Sequence, residues 1–343
     1  MLVRILLWPL SLLYGILAQG RRFLYSLKVL QCRKQAPLKT IVVGNLRVGG
    51  TGKSIVVGYL ARAFQNLPMS VAILSRGYGR KTRGFLEVLP TMKSGDCGDE
   101  PLMVKKQNPQ LRVAVCENRY NGLKQLQKVC NPEPLVLLDD AYQHLSLQAH
   151  HYILLTEWDR PFFTDHVLPM GRLREFRREA SHADQILVTK VPYGVGPKQK
   201  KQFAKQVQKY SKAPLFWSSL HYGNTVHVAS KKPVEIPVST PILLVTGIDN
   251  PAPLLQFLQE QGRNVEPIPF ADHKELSTAD LQEITQRALE RKGVLITTEK
   301  DAVRYFMGKK IPAAIQEPWH YIEVKLLVEK EAQFLDPLFT LVS

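Results

Sequence analysis

The chain has 343 residues, 45% of them hydrophobic and 22% charged, which is enough apolar material for one large or two moderate cores and too much for a disordered protein. Forty-six Lys and Arg against 30 Asp and Glu leave a formal charge of +16, implying an acidic partner: a phosphorylated substrate, an anionic membrane surface or nucleic acid. Cys32, Cys97, Cys116 and Cys130 show no C-x-x-C spacing, so they suggest neither a zinc site nor a disulfide framework, and a reducing, cytosolic setting fits.

The first element is "MLVRILLWPLSLLYGILAQGRRFLYSLKVLQCRK". Its apolar run from Ile5 to Ala18 is shorter than the about 20 residues of a spanning helix, is broken by Pro9 and leads into a poor signal-cleavage site. Trp8, Tyr14, Phe23 and Tyr25 lie among leucines with Arg21 and Arg22 beside them, so residues 1–32 read as a segment resting in a membrane interface. A monotopic protein facing the cytosol follows.

Short apolar runs bounded by turn or charged residues then read as buried parallel strands at 40–44, 71–74, 134–139, 152–156 and 185–189. Crossover helices fit Lys53–Asn66 and Arg119–Val129, so residues 33–215 form an α/β sheet with helices on both faces. The lysine-rich run 198–212 reads as a solvated basic helix with one buried stripe at Phe203 and Val207. Beyond it, strands at 241–247 and 293–298 and helices near Ala252–Gln261 and Ser277–Arg291 predict a second, smaller α/β domain over 216–343. Nothing resembling a nucleic-acid recognition module accompanies the charge.

"VVGNLRVGGTGKSIVV", residues 42–57, stands between a strand and a helix, where backbone N–H groups and a helix N-terminus surround phosphate oxygens. Arg47 occupies the place of the first glycine of G-x-x-x-x-G-K-[ST]. Gly49, Gly50 and Gly52 still permit close backbone approach, Lys53 reaches the β- and γ-phosphates, and the Ser54 hydroxyl suits Mg²⁺. "PLVLLDDAYQH" supplies Asp139 and Asp140 at a strand's C-terminal end, where doubly wound sheets bind ligands. Successive strand side chains point to opposite faces, so the two acids have different tasks.

Further candidates follow along the chain. "SRGYGRK" puts Arg76 and Arg80 at the same sheet edge. "GDCGDEP" carries Asp96, Asp99 and Glu100 in a turn-prone segment, where a carboxylate could orient or deprotonate an alcohol. "DHVLPMGRLREFRREASHADQILVTK" gathers Arg172, Arg174, Arg177 and Arg178 around Glu175. "PFADHKELS" offers Asp272 and His273, and "TTEKDAVRY" offers Glu299, Lys300 and Asp301 at a strand-to-helix turn.

These motifs, with "LLYG", "NRYNGL" and "TGIDNP" in the same chain order, resemble the tetraacyldisaccharide 4'-kinase family, whose loop also lacks glycine at the place of Arg47. The resemblance implies an ATP- and Mg²⁺-dependent kinase of lipid A biosynthesis that phosphorylates the 4'-hydroxyl of an acylated glucosamine disaccharide 1-phosphate. It further implies P-loop NTPase-like lobes joined by a hinge, at the cytoplasmic face of the inner membrane, with no obligate protein partner evident. Carried onto this chain, Arg47, Val48, Gly49, Gly50, Thr51, Gly52, Lys53 and Ser54 hold the nucleotide. Ser54, Asp139, Asp140 and Glu175 surround the metal, Asp99 is the base with His273 as its partner, and Arg76, Arg119, Arg172 and Arg174 meet substrate or ATP phosphates. The chain departs from the family at Ile55, Ala141 and Met170, which touches fine geometry and leaves the polar groups in place. A P-loop ATPase switch of the partitioning or maturation type is the rival; its loop carries a second lysine where this chain has Val48.

Overall fold

In the strand Thr40–Asn45 every residue is buried. Ile41 and Val43 enter one apolar cluster and Val42 the other, the period-two division expected of a strand covered on both faces. The same division recurs at Ile73 and Leu74, at Leu137 and Leu138, and at Leu154 and Leu155. The computed structural model describes residues 2–27, 34–65, 67–270, 276–306 and 310–342, in two compact units: 1–220 with 326–343, and 221–325.

In the first unit, β1 (Thr40–Asn45), β2 (Val71–Ser75), β3 (Arg112–Val115), β4 (Leu135–Asp139), β5 (His151–Glu157) and β6 (Gln185–Thr189) pair in parallel in the spatial order β6-β5-β1-β4-β2-β3. The central strand β1 thus lies between β4 and β5, with Val43 opposite Asp139. Its helices are α1 (Leu2–Ser26), α2 (Lys53–Ala63), α3 (Asp99–Gln107), α4 (Arg119–Val129) and α5 (Pro197–Val207). On α5 the buried residues are Phe203 and Val207, and the Phe203 ring stacks on Trp158 at 5.0 Å.

The helix α1 continues through Pro9, so the proline does not break the apolar run as its sequence suggests. Among the described residues no helix is long and apolar enough to cross a membrane. One narrow side of α1 is seated on the loop around 170–179: Ser11 Oγ accepts from the Met170 N–H at 2.8 Å, and Arg22 pairs with Glu175 at 2.9 Å and with Glu179 at 2.9 Å. Gly15 faces the Phe176 ring so closely that a Cβ there would stand 2.4 Å from it. Away from that side, Trp8, Leu13, Ile16, Leu17 and Phe23 are all more than half accessible. That distribution fits an interfacial helix.

In the second unit, β8 (Ile242–Thr246), β9 (Val265–Pro269) and β10 (Val294–Thr298) pair in parallel in the order β9-β8-β10, and β11 (Trp319–Val328) continues beside β10. The helices α6 (Ala252–Glu260), α7 (Thr278–Glu290) and α8 (Glu299–Phe306) complete it. The chain passes between units within β11 and within the long strand β7 (Leu215–His227).

The expectation that everything beyond 215 belongs to the smaller domain meets a division at Leu220 and a C-terminal helix that returns to the first unit. In α9 (Glu331–Val342), Phe334, Leu335 and Leu338 are buried in the cluster that also holds Val56, Leu60 and Phe64 of and beside α2. Phe339 meets Phe64 edge-on at 5.3 Å, and Glu331 accepts from the Tyr59 hydroxyl at 2.6 Å. Apolar matching to α2, not chain order, assigns this helix.

Candidate active site

The loop between β1 and α2 is shaped by bonds from outside it. Asn45 Nδ2 donates to Thr51 Oγ1 at 2.7 Å, and the Gln143 amide donates to the Asn45 carbonyl at 2.8 Å. Arg47 bridges in antiparallel fashion to Leu173, with the Val48 N–H donating to the Arg172 carbonyl and the Arg174 N–H to the Leu46 carbonyl, both at 2.8 Å. Gly52, at φ 89°, occupies the left-handed conformation that glycine adopts without cost and precedes α2 without any side-chain cap. The first-turn N–H groups of α2 therefore face the loop uncapped, as an anion site requires.

Side chains converge on that mouth. Lys53 Nζ lies 3.8 Å from Asp140 Oδ1, and Arg174 grips both Asp140 oxygens at 3.0 and 2.9 Å. Asp140 stands at φ 48°, a left-handed position that Asp tolerates better than most residues, and its N–H donates to the Val43 carbonyl. Asp139, one residue earlier, is 4% exposed, and its Oδ1 lacks a hydrogen-bond partner. Burial first, then the charges of Glu100 and Asp140, push its carboxyl up to about 7. The paired acids differ in setting: Asp140, just past the strand, sits in an ion-pair cluster, while Asp139 is buried with an unsatisfied oxygen.

The structure separates the remaining sequence candidates. Asp99 is exposed at the first position of α3, and Glu100 follows it. Arg76, just past β2, and Arg172, beside the loop, are exposed. Arg119 is not placed to meet substrate: it is 2% exposed, and its guanidinium donates to the carbonyls of Cys116 at 2.8 Å and Asp139 at 3.3 Å. Burial lowers its pKa to about 10, and it serves as an internal brace between α4 and β4. Glu175, expected near the metal, is 7% exposed and held by Arg22 of α1. The Arg47 side chain points away from the loop mouth, onto Asp165 at 2.6 Å and Glu157 at 3.3 Å. Arg80 ties Gly84 and Glu117 together. His273 and Asp272 lie outside the described residues.

A site built this way, with a lysine at a helix N-terminus, an arginine and two acids at the carboxyl ends of adjacent parallel strands, suits phosphoryl transfer. A family model described as "Tetraacyldisaccharide-1-P 4'-kinase" matches residues 3–342. The chain belongs to this family. Curated relatives named tetraacyldisaccharide 4'-kinase include one from Flavobacterium psychrophilum, 36% identical and covering 96% of this chain and 94% of its own length. Another, from Flavobacterium johnsoniae, is 37% identical with 88% of each chain covered. Among solved structures, LpxK from Aquifex aeolicus in complex with ATP is similar at a TM-score of 0.76, with 27% identity and 99% of both chains covered.

Three residues, Glu100, Lys190 and Glu157, carry less weight in the sequence than in the structure. Glu100 was grouped with Asp99 and left without a task, yet its charge is felt by buried Asp139. Lys190 and Glu157, at the ends of β6 and β5, reach the loop itself; each stands just beyond or at the end of an apolar strand, the one signal that marked them.

Proposed function

We propose that this chain transfers the γ-phosphate of ATP to the 4'-hydroxyl of a tetraacyldisaccharide 1-phosphate, working at the cytoplasmic face of the inner membrane. The observation that carries the reading is the meeting of Lys53, Arg174 and Asp140 beside unsatisfied Asp139 at the mouth of an uncapped glycine loop. Membership of the kinase family and the likeness to an ATP-bound relative give that site its donor.

The residues present fit a divalent cation. Mg²⁺ keeps several waters and needs only one or two protein carboxylates beside substrate phosphates; the orphaned Asp139 oxygen and its carboxyl raised to about 7 mark Asp139 as an acid without a directly bonded cation. Ser54, Asp139 and Asp140 would hold the ion. When bound it supplies charge neutralisation on the transferred group. In this reading Lys53 neutralises the phosphates, Arg174 leaves Asp140 correctly turned, and Asp99 accepts the proton of the sugar hydroxyl with His273 as its partner. Arg76 and Arg172 supply positive charge to the substrate's phosphate. The exposed apolar residues of α1 rest on the membrane beside the acyl chains.

The test is transfer of labelled phosphate from ATP to the acylated disaccharide 1-phosphate. A labelled 4'-phosphate product is expected, and ATP turnover that ignores the acceptor refutes the proposal. Asp99→Ala should lose about two to four orders of magnitude in kcat with ATP affinity little changed; near-normal turnover removes Asp99 from the base role.

A further inference from the structure

A phosphate-binding loop must present N–H groups inward, and the strict motif achieves this with a glycine where this chain has Arg47. Here the loop carbonyls are held from behind. Lys190, whose backbone takes the left-handed conformation at φ 57° directly after β6, sends its ammonium to the Gly50 carbonyl at 2.7 Å. Thr189, its neighbour, donates its hydroxyl to the Thr51 carbonyl at 3.0 Å. The C=O and N–H of a trans peptide point in opposite directions, so the Thr189 bond turns the following Gly52 N–H away from β6, while the Lys190 bond fixes the peptide whose Thr51 N–H closes onto the Gly49 carbonyl at 3.0 Å. The ammonium is fixed in turn by Glu157, 7% exposed. The second Glu157 oxygen takes Arg47, whose Nε is held by Asp165. Two cations and two carboxylates therefore form one continuous chain behind the loop.

We propose that Lys190, locked by Glu157 and Arg47, is a positioning residue for nucleotide binding: it sets the direction of the loop peptides in place of the missing glycine. The inference rests on residues 47–54 being the nucleotide loop. Lys190 acts through the loop backbone, and its partners are protein atoms.

The experiment measures ADP affinity with Mg²⁺ by calorimetry, together with kcat and KM for ATP, on the full chain carrying Lys190→Met, Lys190→Arg or Lys53→Ala. Loss of one charge-assisted bond to the loop predicts about ten- to hundredfold weaker ADP binding and a matching rise in KM for Lys190→Met, with most of the affinity recovered in Lys190→Arg. A residue that only stabilises the fold would lower Tm and leave the affinity of folded molecules intact. ADP affinity within about twofold of the unaltered chain in Lys190→Met, while Lys53→Ala binds poorly, overturns the inference alone. Unchanged affinity in Lys53→Ala overturns the loop reading and the inference with it. Should Lys190→Met fail to fold, Lys190→Gln, which keeps a donor for the carbonyl without the charge on Glu157, is read by the same criteria.

Discussion

Replacing Asp139 with Asn keeps the shape of the side chain and removes the charge that the fold buries without a partner for Oδ1. The unfolded carboxyl titrates at its ordinary value of 3.8, the folded one at about 7. Between those pH values the native chain binds the proton and the unfolded chain does not, so stability falls as pH rises through the window and is flat above it. The width of the window corresponds to about 4 kcal/mol at about 1.4 kcal/mol per pH unit. In metal-free and nucleotide-free protein, Asp139→Asn should therefore raise Tm at pH 8, by up to about 10 °C for a unit of this size, and change it little near pH 4. The assay is a thermal melt at steps from pH 4 to pH 8 in a chelating buffer, followed by Mg²⁺ and ADP. The added ligands should stabilise the unaltered chain far more than the variant. Parallel pH profiles for the two chains would refute the reasoning.

Lys53→Ala should weaken ADP binding by about tenfold or more, read by calorimetry, since a charge-assisted contact is removed from an otherwise intact loop. Gly15→Val should unseat α1 from Phe176, an overpacking cost of about 1–3 kcal/mol, seen as faster amide exchange over residues 11–22. Leu13→Glu with Leu17→Glu should shift the protein from the vesicle pellet to the supernatant while ADP affinity holds; unchanged sedimentation counts against the membrane contact. Asp301→Ala in the second unit removes the acceptor of the Gly247 N–H, Thr298 hydroxyl and Arg304 guanidinium. It should cost about 3–5 kcal/mol, measured as exchange of the β8 and β10 amides.

The buried parallel strands were legible because each is a short apolar run closed by a polar turn, and β1, β4, β5, β6, β8 and β10 fall where those runs lie. β3, Arg112–Val115, begins on a charged residue, which interrupts the apolar run that marks the other strands. β7 is partly polar, with Ser218, Ser219, His221 and Asn224 inside it, and pairs its first residues with β6, a long-range contact that local pattern does not carry. α3 was read as a turn although Asp99, Glu100 and Pro101 open it; acids and proline in a first turn are helix-start signals. The glycine loop and the Asp pair were legible because their spacing is local. The internal partners of Arg119 and Glu175, and the contacts of the Arg47 side chain, were not legible for the opposite reason. A charged residue's sequence cannot tell whether its partner is a ligand or a carboxylate more than a hundred residues away, as Asp165 is for Arg47.

The return of α9 to the first unit has a consequence for biosynthesis. Phe334 and Leu338 are fully buried among the residues that pack α2 against the sheet, yet they leave the ribosome after all of residues 221–325. The second unit, continuous in the chain, is complete before the first has its last layer. Domains generally fold as units during synthesis, N-terminal first, but here the unit that begins first closes last. Until α9 arrives, the apolar surface of Tyr59, Phe64 and Phe216 stands open, and that nascent interval is when the chain is most exposed to chaperones and to aggregation.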